Sequence, residues 1–176
     1  MTIRLIFLFI SLFSFTWTLS QDNTQLAKKE QKFAFKIFEG EPSAEALNIP
    51  DRDTAKEGSS MDGDRAYLMK QQDAGIGYLL STRAKGRYDY FDYIVAYAPD
   101  LSVLGLTVLV YRSAHGAAIC QKGWLGQFEG YAGEELTLGK EIDAVAGATI
   151  SATSMVKDMK RTHQLMIRLK EEGIIH

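Results

Sequence analysis

A chain of 176 residues has room for one well-filled core and not for two. Its 46% apolar and 24% charged residues are globular proportions, which excludes a disordered or fibrous chain. A formal charge of −2 with interspersed signs leaves no basic stripe for nucleic acid, and a single cysteine excludes an internal disulfide, a thiolate zinc site and an iron–sulfur cluster.

Residues 1–20 read apart from the domain. Arg4 precedes an apolar run from Leu5 to Leu19, and the small residues Thr18 and Ser20 stand where a signal peptidase needs them. The run is about fifteen residues, short of the ~20 that a spanning helix requires. A cleaved secretory signal is therefore expected, with an uncleaved membrane anchor as the alternative. Either places the domain outside the cytoplasm, in a periplasm or cell envelope. Cleavage after Ser20 would leave a net charge of −3, because Arg4 is the segment's only charge.

Residues 21–74 are predicted to be an N-terminal helix and loop region. From Gln21 to about Gly40, the charges of Lys28, Lys29, Glu30 and Lys32 lead into Phe33, Phe35, Ile37 and Phe38, a helical gathering of apolar residues. Glu41 to Asp64 is polar and carries Pro42, Pro50, Gly58 and Gly63, so loop is expected, with room for a short helical turn. Across the boundary, residues 66–88 hold one or two short strands punctuated by Gly75, Gly77 and Gly86.

The domain core is expected over residues 75–176. "FDYIVAYAPD" alternates, Pro99–Asp100 signals a turn, and "LSVLGLTVLVYR" runs on as a second strand. Val103 to Val110 is apolar enough for burial on both faces. Trp124 and Phe128, four apart, mark a short helix and are expected in the core. Cys120 reads as a buried small hydrophobe. The segment from Ser151 to about Glu172 places Ala152, Met155, Val156, Met159, Met166 and Leu169 at helical spacing, with Gly173 as its stop. The fold class is α+β, a curved antiparallel sheet packed by helices.

The junction "EIDAVAGATISATSM" is the segment that carries chemistry. Ala146, Gly147, Ala148 and Thr149 put little bulk and one hydroxyl just before a helix, whose first turn leaves backbone N–H groups unpaired. Those donors and the positive end of the helix dipole suit an anion, and small side chains would let a phosphate and a ring approach the backbone. A plain N-cap at Thr149 or Ser151 with a glycine turn at Gly147 explains the same residues without any ligand.

"DAVAGAT" followed by "ISATSM" resembles the flavinylation motif of FMN-binding domains. These domains occur in peripheral flavin subunits of the Rnf complex and the sodium-pumping NADH:quinone reductase, and in exported single-domain proteins. The family pattern is Asp, two residues, Ser or Thr, Gly, Ala, then Thr or Ser. Asp143, Gly147, Ala148 and Thr149 match it, and Ala146 departs from it. "VLVYRSAHGAAICQKGWLGQFEG" is similar to the family's strand, glycine loop and Trp-x-x-Gln-Phe helix, so the resemblance spans roughly residues 75 to 172.

What the resemblance implies is an FMN esterified through its phosphate to Thr149 by a dedicated FAD:protein FMN transferase. Ser151, His115, Gly116 and Ala117 are further candidates for binding it, the last three on the loop Ser113 to Ala118. The aromatic entry Tyr88, Tyr90, Phe91 and Tyr93 could shield the ring or simply pack. The expected function is an exported FMN electron carrier with membrane or extracytoplasmic redox partners. The alternatives are a flavin-dependent reductase of a small substrate and a non-redox binding or structural domain.

Overall fold

The computed structural model describes residues 26–50 and 63–176; the expected signal segment and any helical turn within 51–62 lie outside them. Helix α1 spans Lys28–Ile37, inside the predicted Gln21 to Gly40 stretch, of which residues 21–25 lie outside the described residues. Its first turn is fixed by Glu30, whose carboxylate accepts the Ala27 N–H at 2.9 Å, Arg65 at 2.7 Å and Ser81 at 2.6 Å.

Five strands follow: β1 Ser43–Leu47, β2 Arg65–Gln71, β3 Ala74–Lys85, β4 Tyr90–Tyr97 and β5 Val103–Val110. They form one antiparallel meander in which order across the sheet is order along the chain. The expected α+β class with an antiparallel sheet is what the chain adopts. Two expectations need correction. The stretch read as loop contains β1, paired along its whole length with β2. The division at residue 75 falls inside the β2–β3 hairpin, which closes at Gln72 and Asp73 with positive φ at both residues.

Alternation along β3 and β4 sends side chains to two separate cores. Tyr78, Leu80, Tyr93, Val95 and Tyr97 pack with the final helix α3, Thr149–Glu171. Leu79, Ile94 and Ala96 pack with Met69, Ala34 and Phe38 on the α1 side. Gly77 has φ +151, and a Cβ there would lie 2.4 Å from the Tyr97 carbonyl oxygen, so this strand position requires glycine.

The β4–β5 hairpin forms as predicted, but β5 is not buried on both faces. Leu104 and Val110 are 38% and 39% exposed, because β5 ends the sheet and the helices cover it only in part. Beyond it come a 3₁₀ turn at Ala117–Cys120, the short helix α2 at Lys122–Leu125 and a second 3₁₀ turn at Gly126–Phe128. Trp124 and Phe128 lie in the core, edge to face at 5.3 Å. Cys120 is half-buried, and that burial pushes its thiol pKa up.

Helix α3 buries Ala152, Met155, Met159, Leu165, Met166 and Leu169 completely. It ends at Gly173, whose φ of +71 turns the chain so that the Ile174 N–H reaches the Leu169 carbonyl at 2.9 Å. A buried polar network also fastens α3 to the sheet. Arg161 contacts Asp158 at 2.5 Å, Asp64 at 2.8 Å and Thr82 at 2.8 Å, and Asp158 accepts the Tyr93 hydroxyl at 2.6 Å. Burial first, then the Asp158 carboxylate, raises the Tyr93 pKa well above its ordinary value.

Candidate functional site

The junction from Ile142 to Thr149 is shaped by its neighbours before any ligand is considered. Ile142 is fully buried and anchors the segment. At Asp143 the backbone is gripped twice: the Trp124 indole N–H donates to its carbonyl at 2.8 Å, and its N–H donates to the Gln127 side-chain oxygen at 2.8 Å. The Trp-x-x-Gln-Phe stretch thus has a mechanical role, with Phe128 in the core and Trp124 and Gln127 holding the strap.

A tight turn follows. The Ala148 N–H donates to the Val145 carbonyl at 3.1 Å, and Gly147, third in the turn, has φ +73. Ala146 and Gly147 are exposed, and Ala148 is buried at 3%.

Helix α3 begins at Thr149, earlier than predicted, and its N-cap is Ala148 with no side-chain cap hydrogen bond. The ligand-free alternative, a plain N-cap at Thr149 or Ser151, is not what forms: both residues lie inside the helix. The first intrahelical bond runs from the Ala152 N–H to the Ala148 carbonyl at 2.9 Å, so the N–H groups of Thr149, Ile150 and Ser151 have no backbone acceptor among the described residues.

The two hydroxyls differ sharply. Thr149 is exposed, and its hydroxyl has no hydrogen-bond partner among the described residues. Ser151 is only 2% exposed and pairs with the Tyr111 hydroxyl at 2.9 Å.

Opposite the helix start lies the loop that leaves β5. Tyr111 donates its hydroxyl proton to the His115 carbonyl at 2.7 Å and so accepts from Ser151, joining loop and helix through one oxygen. Gly116 has φ +86, and a Cβ on it would meet the Tyr111 hydroxyl at 2.6 Å and the Ser151 hydroxyl at 3.2 Å. No larger residue fits there.

Between the two walls is a cleft of about 210 Å³. It brings together His115, Gly116, Gly147, Ala148, Thr149 and Ser151, six of the residues singled out from sequence. Ala117 and Asp143 do not line it: Ala117 is exposed at the start of the 3₁₀ turn, and Asp143 is exposed on the strap, where its backbone carries the contacts. His115 is an exposed side chain at the rim. Met155 and Met159 are core, as are Phe91 and Tyr93, whereas Tyr88 is 71% exposed.

Three contributors escaped the sequence. Arg87, from the β3–β4 turn, lines the cleft. Tyr111 joins its walls, and Gln127 holds its strap. Only Gln127 carried a local signal, its place in the Trp-x-x-Gln-Phe pattern. A larger cavity of about 470 Å³ lies beneath α1, but it holds none of the candidate residues, and its Glu30 and Arg65 pair with each other.

No family model matches the chain, and no curated protein does. Among solved structures it is similar to the crystal structure of Shewanella oneidensis NqrC, with 18% identity and a TM-score of 0.45 over 69% of this chain and 70% of that one.

Proposed function

We propose that the protein is an exported flavoprotein that carries electrons through an FMN held by a phosphoester to Thr149. One observation carries the reading. Thr149 presents an accessible, unengaged hydroxyl on the first residue of an uncapped 23-residue helix, and no side chain larger than a methyl group precedes it in the turn from Ala146.

The residues present fit such a group. Unpaired N–H donors at the start of α3 suit a phosphate, with the helix dipole adding to their attraction. A Cβ on Gly147 would meet nothing within 4 Å, so a bulky substituent on Thr149 has open space on that side. Ser151 is disfavoured as the acceptor because it is buried and already bonded to Tyr111.

A threonine hydroxyl needs activation before it attacks phosphorus. No described side chain bonds to Thr149, so an external FAD:protein FMN transferase would supply that activation. The Thr149 oxygen bonds to the FMN-side phosphorus of FAD, the pyrophosphate P–O bond breaks, AMP leaves, and the hydroxyl proton passes to the transferase. Bound FMN supplies the redox chemistry, and the chain's part is to hold the phosphate and orient the ring.

The cleft is smaller than the about 300–1,000 Å³ of pockets that enclose a small ligand. That favours a carrier with an exposed ring edge over a reductase with its own substrate pocket. Its redox partners would lie in or at the membrane on the extracytoplasmic side.

The test is chemical. Co-produced with the transferase and exported, the denatured protein should stay fluorescent on a gel, and the peptide containing Thr149 should gain the mass of an FMN phosphoester. Thr149→Ala should lose both signals. A wild-type chain that acquires no flavin, or a fully modified Thr149→Ala, overturns the reading.

A further inference from the structure

The β3–β4 turn brings a cation to a cleft that otherwise has none with a permanent charge. The turn is tight, closed by the Gly86 N–H on the Asp89 carbonyl at 2.8 Å. It sits close against the first turn of α3: a Cβ on Gly86 would lie 3.6 Å from the Ser151 hydroxyl. Arg87 therefore lines the same cleft as Thr149, and no carboxylate lines it.

Arg87 has no ion pair or hydrogen bond among the described residues, whereas Arg65, Arg112 and Arg161 are each paired with a carboxylate. Its one contact of note is with Tyr88, whose ring centroid lies 5.1 Å from the guanidinium carbon. Tyr88 is itself 71% exposed, so the pair is not a product of core packing. Stacking on an aromatic ring uses the face of a guanidinium and leaves its edge N–H groups free to fork onto an oxyanion. Asp89, the nearest acid in sequence, accepts the Tyr90 N–H at 2.7 Å and forms no ion pair with Arg87.

We infer that Arg87, braced by Tyr88, is the residue by which this cleft selects a phosphorylated ligand over its unphosphorylated form. The inference rests on the flavin reading above and specifies it: the helix start and Arg87 face the phosphate from two sides. Arg87 binds the ligand, and Tyr88 is a positioning residue that acts through it.

The experiment uses two flavins that differ only in the phosphate. The chain made without the transferase is titrated with FMN and with riboflavin, following flavin fluorescence. Wild type should prefer FMN by about tenfold, the scale of one charge-assisted contact. Arg87→Gln should remove most of that preference, leaving only the share due to the helix start, with riboflavin binding unchanged, and Arg87→Lys should retain more of it. Tyr88→Leu should reduce the preference while Tyr88→Phe preserves it, a pattern that a purely structural role would not produce.

An unchanged FMN-to-riboflavin ratio in Arg87→Gln, or no preference in wild type, overturns the inference. If Thr149 is flavinylated while that ratio is unchanged, this inference falls and the phosphoester reading stands. If the chain resists flavinylation but shows the Arg87-dependent preference, the phosphoester falls and phosphate selection by Arg87 stands.

Discussion

His163 is 3% exposed, with its imidazole 5.2 Å from the Tyr131 ring and 6.4 Å from that of Tyr97. Gly133 closes over it so tightly that a Cβ there would lie 2.7 Å from the ring. Burial lowers the His163 pKa from the ordinary 6.5, and the Glu134 carboxylate offsets this only in part. The unfolded chain therefore takes up the proton more readily than the folded one. Stability from this group is complete above the ordinary pKa and declines as pH falls from there toward the folded value. Melting wild type and His163→Gln between about pH 8 and about pH 5 should show the gap between them narrowing with acid. A gap that does not change with pH would remove His163 from the account. The same Gly133 contact ties this histidine to the chain that leads into the cleft strap.

At the scale of elements, the strap from Ile142 to Ala148 depends on α2 and the turn after it. Gln127→Ala removes the acceptor for the Asp143 N–H and should cost about 1–2 kcal/mol. Faster hydrogen exchange at the Asp143 amide, with the sheet amides unchanged, is the expected readout; unchanged exchange would show the strap held by Trp124 alone.

How far the elements were legible follows from their local chemistry. The β4–β5 hairpin announced itself through alternation and Pro99–Asp100, and α3 through its apolar spacing and Gly173. By contrast β1 reads Ser-Ala-Glu-Ala-Leu, residues of modest strand preference, and is a strand because β2 pairs with it. The β2–β3 turn was hidden because Gln72 and Asp73 take positive φ where a glycine would have been the signal. Within the site, the small residues before α3 and Thr149 could be read as a string. Arg87 and Tyr111 could not, because strand ends distant in sequence deliver them to the cleft.

For the whole molecule, Arg161 is the fastener between α3 and the sheet. It bridges Asp158 on its own helix to Thr82 on β3 and to Asp64 just before β2. Replacing it with methionine removes the guanidinium that bridges the Asp64 and Asp158 carboxylates. Breaking a buried pair in this way typically costs about 3–5 kcal/mol. At roughly 2–4 °C per kcal/mol for a domain of this size, thermal denaturation should come about 6–20 °C earlier. A loss below about 2 °C would mean that solvent already screens the network.

Because α3 follows every strand in the chain, its fastenings reach far back, over 65 residues to Tyr93 and 97 to Asp64. The meander, by contrast, is built of neighbours and can zip hairpin by hairpin. Contacts between distant segments carry the larger closure cost and tend to form late. The docking of α3 therefore belongs among the late events of folding, and it is this docking that brings Thr149 opposite the wall at Gly116. On the proposed reading maturation would have an order: a newly made chain displays the motif as a string, and the surface a transferase would grip forms once α3 has seated. Under the proposed phosphoester, attachment of the cofactor would work as a proofreading stamp, applied to chains that have finished and withheld from those that stall.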